Sequence, residues 1–122
     1  MRVAVVGATG VLGRALVPCL LRDGLIVRAL VRSPDRAARV LPVGTEIAGF
    51  DLLSKPGADD LPKLLSGCDV VIHAASAIPS DFTAPGAWDR NTRLRTEGTR
   101  RLLDAALAAG VTRYIQQSVA FA

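Results

Sequence analysis

The feature that most constrains this chain is a set of three glycines at intervals of three, Gly7, Gly10 and Gly13, directly behind the apolar and largely β-branched run Val3-Ala4-Val5-Val6. A strand that stops at Gly7 and gives way to a helical pattern within a few residues needs a tight turn between them. Such a turn suits phosphate: without a Cβ, glycine lets backbone N–H groups approach an anion closely, and the unpaired N–H groups at a helix start attract negative charge. The dinucleotide fingerprint is spaced G-x-G-x-x-G, whereas this stretch reads G-x-x-G-x-x-G. The strand–turn–helix context agrees with that fingerprint and the spacing departs from it.

Strand and helix patterns alternate behind the turn. Leu12, Leu16, Cys19 and Leu20 recur at i, i+4, i+7 and i+8, the stripe of a helix packed on a sheet. Pro18 interrupts it and, at a cost of about 3 kcal/mol inside a helix, predicts a bend rather than an end. Gly24 supplies the stop, and Ile26 to Val31 forms the second strand. Ser33-Pro34 reads as an N-cap and first helical residue, opening a short helix to about Val40. Thr45 to Gly49 is a weaker strand, followed by Asp51-Leu52, and Asp59 to Leu65 is a short helix closed by Gly67. Asp69 to Ala74 has the continuous apolar character of a buried parallel strand. Residues 76 to 87, with Pro79, Pro85 and Gly86, read as a loop. One long helix is predicted from about Trp88 to Ala109, with Thr99, Leu102, Leu103, Ala106 and Leu107 on one face and Gly110 as its stop. Arg113 to Gln117 is the last strand. This alternation predicts an α/β fold: a doubly wound parallel sheet of about five strands in the order 3-2-1-4-5, joined by right-handed crossovers.

A chain of 122 residues, half of them apolar and 21% charged, is one globular domain or the first part of one. The net charge of +4 comes from 15 basic and 11 acidic residues, and Lys55 and Lys63 are the only lysines. With no run of five basic residues, the charge describes a solvated face rather than a nucleic-acid partner. Cys19 and Cys68 lie in apolar surroundings without C-x-x-C spacing, which predicts buried free thiols in a reducing compartment rather than a disulfide. Leu16-Val17-Pro18-Cys19 imitates a lipoprotein signal, but three glycines interrupt the apolar region before it and proline precedes the cysteine. No stretch reaches the roughly 18 apolar residues of a membrane span. A cytoplasmic protein with no membrane partner is expected. His73 is the only histidine, so neither a Ser-His-Asp triad nor a multi-histidine metal site is expected, and no metal is assigned.

Several stretches, taken together, resemble one family. They are Val6-Gly7-Ala8-Thr9-Gly10-Val11-Leu12-Gly13, Val31-Arg32-Ser33, Asp51-Leu52, His73-Ala74-Ala75, and Gly98-Thr99 with Leu102 to Ala106 ahead of Gly110 to Tyr114. In this order, across essentially the whole chain, they resemble the extended or atypical short-chain dehydrogenase/reductases, often called NAD-dependent epimerase/dehydratases. The three-by-three glycine spacing is regular in that family. The resemblance implies a Rossmann-type fold in which Gly7 makes the turn, Thr9, Gly10, Val11 and Leu12 line a pyrophosphate, and Gly13 lets helix and sheet pack closely. It implies that Asp51 and Leu52 sit at the adenine, and that Ala74, Ala75 and Ala77 lie along the cofactor. Simple close packing explains those alanines equally well.

Arg32 stands where NAD-selective members carry an acid that accepts bonds from the ribose hydroxyls. A guanidinium there would pair with a 2′-phosphate, so NADP is favoured, with NAD as the alternative. The competing reading of Arg32 is a solvated charge ending a strand. Arg36, one turn on, is a second candidate, and Asp35 is better explained as complementing the helix dipole. His73 has a positional role beside the cofactor in the family, and a structural histidine is the better reading than a catalytic one. Ser118 matches the family's catalytic serine, which hydrogen-bonds the substrate's hydroxyl or carbonyl. Its partners would be the tyrosine and lysine of Tyr-x-x-x-Lys. Neither is present: Tyr114 lies inside the fifth strand and both lysines are far upstream. Arg95 replaces an asparagine common three residues before the Gly98 position.

These residues imply the cofactor-binding portion of an NADP-dependent oxidoreductase or epimerase/dehydratase, truncated before the sixth strand and the part that binds a small-molecule substrate. The alternative is a non-catalytic NADP-binding sensor or regulatory module. A fifth strand without its neighbours would present an open edge, and homo-oligomerisation through that edge is expected.

Overall fold

Strand β1 (Arg2–Val6) is the line from which both halves of the sheet grow. In the computed structural model, which describes residues 1–55 and 60–118, β1 pairs in parallel with β2 (Ile26–Val31) on one side and β4 (Val70–His73) on the other. Val5 thus lies between Ala29 and Ile72. β3 (Glu46–Gly49) pairs outside β2 and β5 (Arg113–Gln116) outside β4, giving the order β3-β2-β1-β4-β5. The order 3-2-1-4-5 predicted from the alternation is the observed one.

The period of two along β1 divides the core. Val3 and Val5 join Val17, Val27, Ala29 and Ala37 beneath α1 (Val11–Arg22) and α2 (Pro34–Val40). Ala4 and Val6 join Leu30, Val71 and Leu102 on the opposite face, under α3 (Leu61–Leu64), α4 (Asp89–Arg95) and α5 (Glu97–Ala108). Each buried Val or Leu contributes roughly 1.5–3 kcal/mol, so both faces of the sheet are held by apolar burial. Among the described residues no helix is long and apolar enough to cross a membrane.

The helices depart from the sequence pattern in three places. α1 begins at Val11, inside the glycine motif, and buries Gly13 and Val17 with Leu16, Leu20 and Leu21 packed alongside. Cys19, predicted to be buried, is exposed, whereas Cys68 is buried. A glycine carries no hydropathy signal, so the periodicity missed Gly13 as a core position and centred the stripe too far round α1: Leu16 and Leu20 pack on the core, while Leu12 and Cys19 are exposed. The helix continues through Pro18, and Gly24, at φ 83°, closes it with its N–H on the Leu21 carbonyl at 3.0 Å. The single helix predicted from Trp88 to Ala109 is two helices meeting at Thr96. On α5 the buried residues are Gly98, Leu102, Ala105 and Ala106, while Leu103 and Leu107 face outward.

Smaller differences are local. Ser33 occupies the N-cap of α2 without a side-chain cap bond. α3 starts at Leu61 behind Asp60, whose carboxylate accepts from the Lys63 N–H at 3.2 Å; the predicted start at Asp59 lies outside the described residues. At the opposite end of the sheet from the glycine turn, Glu46 pairs with Arg2 at 3.0 Å and Arg28 at 3.2 Å.

Candidate functional site

The C-terminal ends of β1, β2 and β4, with the segments that follow them and β3, enclose a cleft of about 740 Å³. Gly7, Thr9, Gly10, Val11 and Leu12 form its floor. Gly7 has φ 85°, and a Cβ there would lie 2.5 Å from the Ala74 carbonyl carbon and the Ala75 nitrogen, so both handedness and space demand glycine. Gly13 does not line the cleft: a Cβ on it would overlap the Gly7 carbonyl oxygen and Ala8 Cα, so its smallness lets α1 close on the turn.

Gly10 is different. It has extended dihedrals, and a Cβ on it would meet only the Gly7 oxygen, at 3.4 Å. The protein itself therefore leaves room for a side chain here, and the bare backbone faces the cleft. As N-cap of α1, Gly10 supplies no side-chain acceptor, and the first turn holds no acid. The N–H groups of Val11, Leu12 and Gly13 are left without intrahelical partners, and with the positive end of the helix they suit an anion.

Arg32, at the end of β2, and Arg36, on α2, both line the cleft, and Asp35 between them does not. Ion pairs among the described residues involve Arg2, Arg28 and Arg93, which leaves both of these guanidiniums unneutralised. Asp51 and Leu52 form the wall beyond β3. Asp51 begins a turn in which its Oδ1 accepts the Leu53 N–H and its carbonyl accepts the Ser54 N–H, both at 3.0 Å. Gly98 of α5 approaches so closely that a Cβ on it would be 2.8 Å from Leu52 Cδ2.

Ala74, Ala75 and Ala77 line the side beyond β4. The Ala74 N–H donates to the Val6 carbonyl at 2.8 Å, and the Ala77 N–H to Asn91 Oδ1 at 3.0 Å. His73, 0% exposed, lies behind this wall rather than on it. Its Nε2 is 3.1 Å from the Leu94 carbonyl, and its Nδ1 is 3.2 Å from the Ala75 nitrogen. A carbonyl only accepts and an amide N–H only donates, so the geometry fixes a neutral imidazole with its proton on Nε2. Burial and the nearby Arg95 charge push its pKa below the usual value, outweighing the Leu94 carbonyl.

Ser118 is exposed and does not line the cleft, although its neighbour Gln117 does. Tyr114 hydrogen-bonds Gln116 Oε1 at 2.7 Å, and burial pushes its pKa up to about 12. Such a phenol is a poor acid/base near neutrality. The structure adds Phe50, Ser76, Ile78, Arg90 and Leu94 to the cleft. Arg90 carried no sequence signal that set it apart from the other arginines, and Leu94 is not singled out by the helix pattern.

A family model described as NAD(P)H-binding matches residues 7–122. A 3-diazoavenalumate denitrifying reductase from a Streptomyces species is 40% identical over 123 residues, covering 100% of this chain and 39% of the relative. Photosystem II assembly factor Ycf39 of Cyanophora paradoxa is 34% identical, over 98% of this chain and 34% of its own length. Among solved structures, a short-chain dehydrogenase/reductase superfamily protein from Agrobacterium tumefaciens with bound NAD superimposes with a TM-score of 0.71 at 33% identity. That match covers 95% of this chain and 32% of the other. The chain therefore spans well under half the length of these relatives.

Proposed function

This chain belongs to the NAD(P)H-binding family and carries the Rossmann-type dinucleotide-binding domain of oxidoreductase- and epimerase-like proteins, and on that premise we propose that it binds NADP in preference to NAD. One observation carries the preference: Arg32 and Arg36 line the cleft beside the glycine turn, outside the ion pairs among the described residues, and Asp35 between them in sequence does not line it. A 2′-phosphate meets a guanidinium well, whereas an NAD ribose is held by a carboxylate at this position.

The residues fit the cofactor. The open backbone at Gly10 and the free N–H groups of α1 suit the pyrophosphate. Asp51 spends Oδ1 on its own turn, which leaves Oδ2 for the adenine amine, and Leu52 offers an apolar face. Ala74, Ala75 and Ala77 give the rest of the cofactor a shallow wall, and His73 sets it by holding the Ala75 N–H. When bound, the nicotinamide supplies hydride transfer; the chain's own residues bind and orient it. Titration with NADPH and NADH separately tests the preference: tighter NADPH binding supports it, and equal or tighter NADH binding refutes it.

For the complete protein this reading implies an NADP-dependent oxidoreductase or epimerase/dehydratase that acts on a small molecule, with Ser118 touching the substrate. A second reading, binding without turnover as in a sensor or assembly module, is favoured for the described residues by one fact. Among them, the sole tyrosine is held near pKa 12 away from the cleft. Hydride transfer to any carbonyl or sugar substrate by the 122-residue chain would exclude that second reading.

A further inference from the structure

The wall formed by Asp51 and Leu52 hangs from the end of an edge strand of four residues, and its position is set from across the molecule. Arg101 of α5 reaches the turn with one nitrogen. Its Nη1 donates to the Ser54 carbonyl at 2.8 Å, to Ser54 Oγ at 3.2 Å and to the Leu52 carbonyl at 3.3 Å. Its guanidinium carbon lies 4.7 Å from the centre of the Phe50 ring, so the residues on both sides of Asp51 are held by one side chain. Three positions earlier on the same helix face, Gly98 admits the Leu52 side chain where a Cβ would leave no room.

We infer that Arg101 is a positioning residue for the adenosine half of the ligand: it clamps the turn at residues 50–54 so that Asp51 and Leu52 present a preformed adenine wall. Arg101 itself does not line the cleft, so it acts through the turn. The Asp51 carboxylate is already oriented by the Leu53 N–H, and anchoring two carbonyls of the turn fixes where that oriented carboxylate points. A freely moving turn would have to be ordered by each binding event, and the clamp removes that cost from binding. This inference rests on the dinucleotide reading above.

The test compares ADP with inorganic pyrophosphate, which reaches the glycine turn but has no adenine, by calorimetric titration of the wild-type chain, Arg101→Met and Arg101→Lys. Arg101→Met is expected to weaken ADP about tenfold while pyrophosphate changes by less than about threefold. Arg101→Lys, whose ammonium can still donate to the turn carbonyls, is expected to recover most of the ADP affinity. Amide exchange at Leu53 and Ser54 should quicken in Arg101→Met and not in Arg101→Lys. If Arg101→Met fails to fold, Arg101→Gln, shorter and uncharged, takes its place: a loss confined to ADP supports the clamp, and an unchanged ADP affinity overturns it. Equal loss of both probes, or unchanged ADP binding in Arg101→Met, overturns the positioning role alone. Wild-type protein that binds neither probe overturns the dinucleotide reading and this inference with it.

Discussion

His73 Nε2 lies 3.1 Å from the Leu94 carbonyl, two residues before α4 gives way to α5 at Thr96. In an unbroken helix that carbonyl would accept from the N–H of Gly98. The imidazole takes it instead, so the end of β4 and the break between the helices stabilise each other. The same ring holds the Ala75 N–H at 3.2 Å, which joins the break to the wall of the cleft.

Stability should therefore fall in mild acid. The folded pKa of His73 is lowered from 6.5, so the neutral ring's contribution is present above pH 6.5 and lost as pH drops below it. The slope approaches about 1.4 kcal/mol per pH unit for one group. Urea midpoints should drop between pH 6.5 and 5, above the range where ordinary carboxylates titrate. His73→Gln should flatten that segment; an unchanged slope in the variant would assign the acid sensitivity to other groups.

The glycines should separate folding from binding. Gly13→Ala pushes a methyl group into the turn backbone and should cost about 2–3 kcal/mol, read as a lower melting temperature. Gly10→Ala should cost at most about 1 kcal/mol, since the protein leaves space there, yet weaken NADPH about tenfold or more. Equal binding by Gly10→Ala and wild type would remove the phosphate from that end of the cleft.

Arg32→Ala should weaken NADPH by about ten- to hundredfold, the worth of one charge-assisted contact, and NADH by far less. Arg36→Ala should show the same selectivity with a smaller loss. Parallel loss of both cofactors in Arg32→Ala would sink the phosphate-pairing role.

Ultraviolet titration of the single tyrosine offers a direct reading of its environment. Tyr114 should ionise at about pH 12 in the folded state, against a reference of 10. The stability it contributes is complete below pH 10 and is lost as pH rises toward 12. A midpoint near 10 in folded protein would mean that the phenol is more open to water than its packing indicates.

Among the described residues β5 is an edge of the sheet, with Ile115 44% exposed upon it. An open strand edge that carries an exposed isoleucine invites pairing with a second copy. Sedimentation should show concentration-dependent association that Ile115→Lys reduces. A monodisperse monomer at every concentration would refute edge pairing.

Much of this was legible in the chain, for reasons that differ by residue. Val3 to Val6, Ile26 to Val31 and Val70 to His73 carry strand signals dense enough to fix the order of the sheet. Eleven of the expected cofactor residues, from Gly7 to Ala77, line one cleft because each closes a strand or opens the next segment. Gly13, His73 and Ser118 do not line it: Gly13 packs against the turn, His73 lies behind the wall and Ser118 is exposed. Cys19 came out exposed because the helix it rides is registered by a glycine, which has no hydropathy to read.

By itself the sequence determined the strands and their order, since both follow from local periodicity, glycine placement and the right-handedness of the crossovers. Only the tertiary structure decided which way each side chain faced. The Leu94 carbonyl beside the helix break is bonded by a histidine 21 residues away, and the Asp51 turn is anchored by an arginine 47 residues beyond Ser54. Contacts of that separation leave no periodic trace along the chain, because they are set by where the sheet brings its edges and helices together rather than by what stands next in sequence.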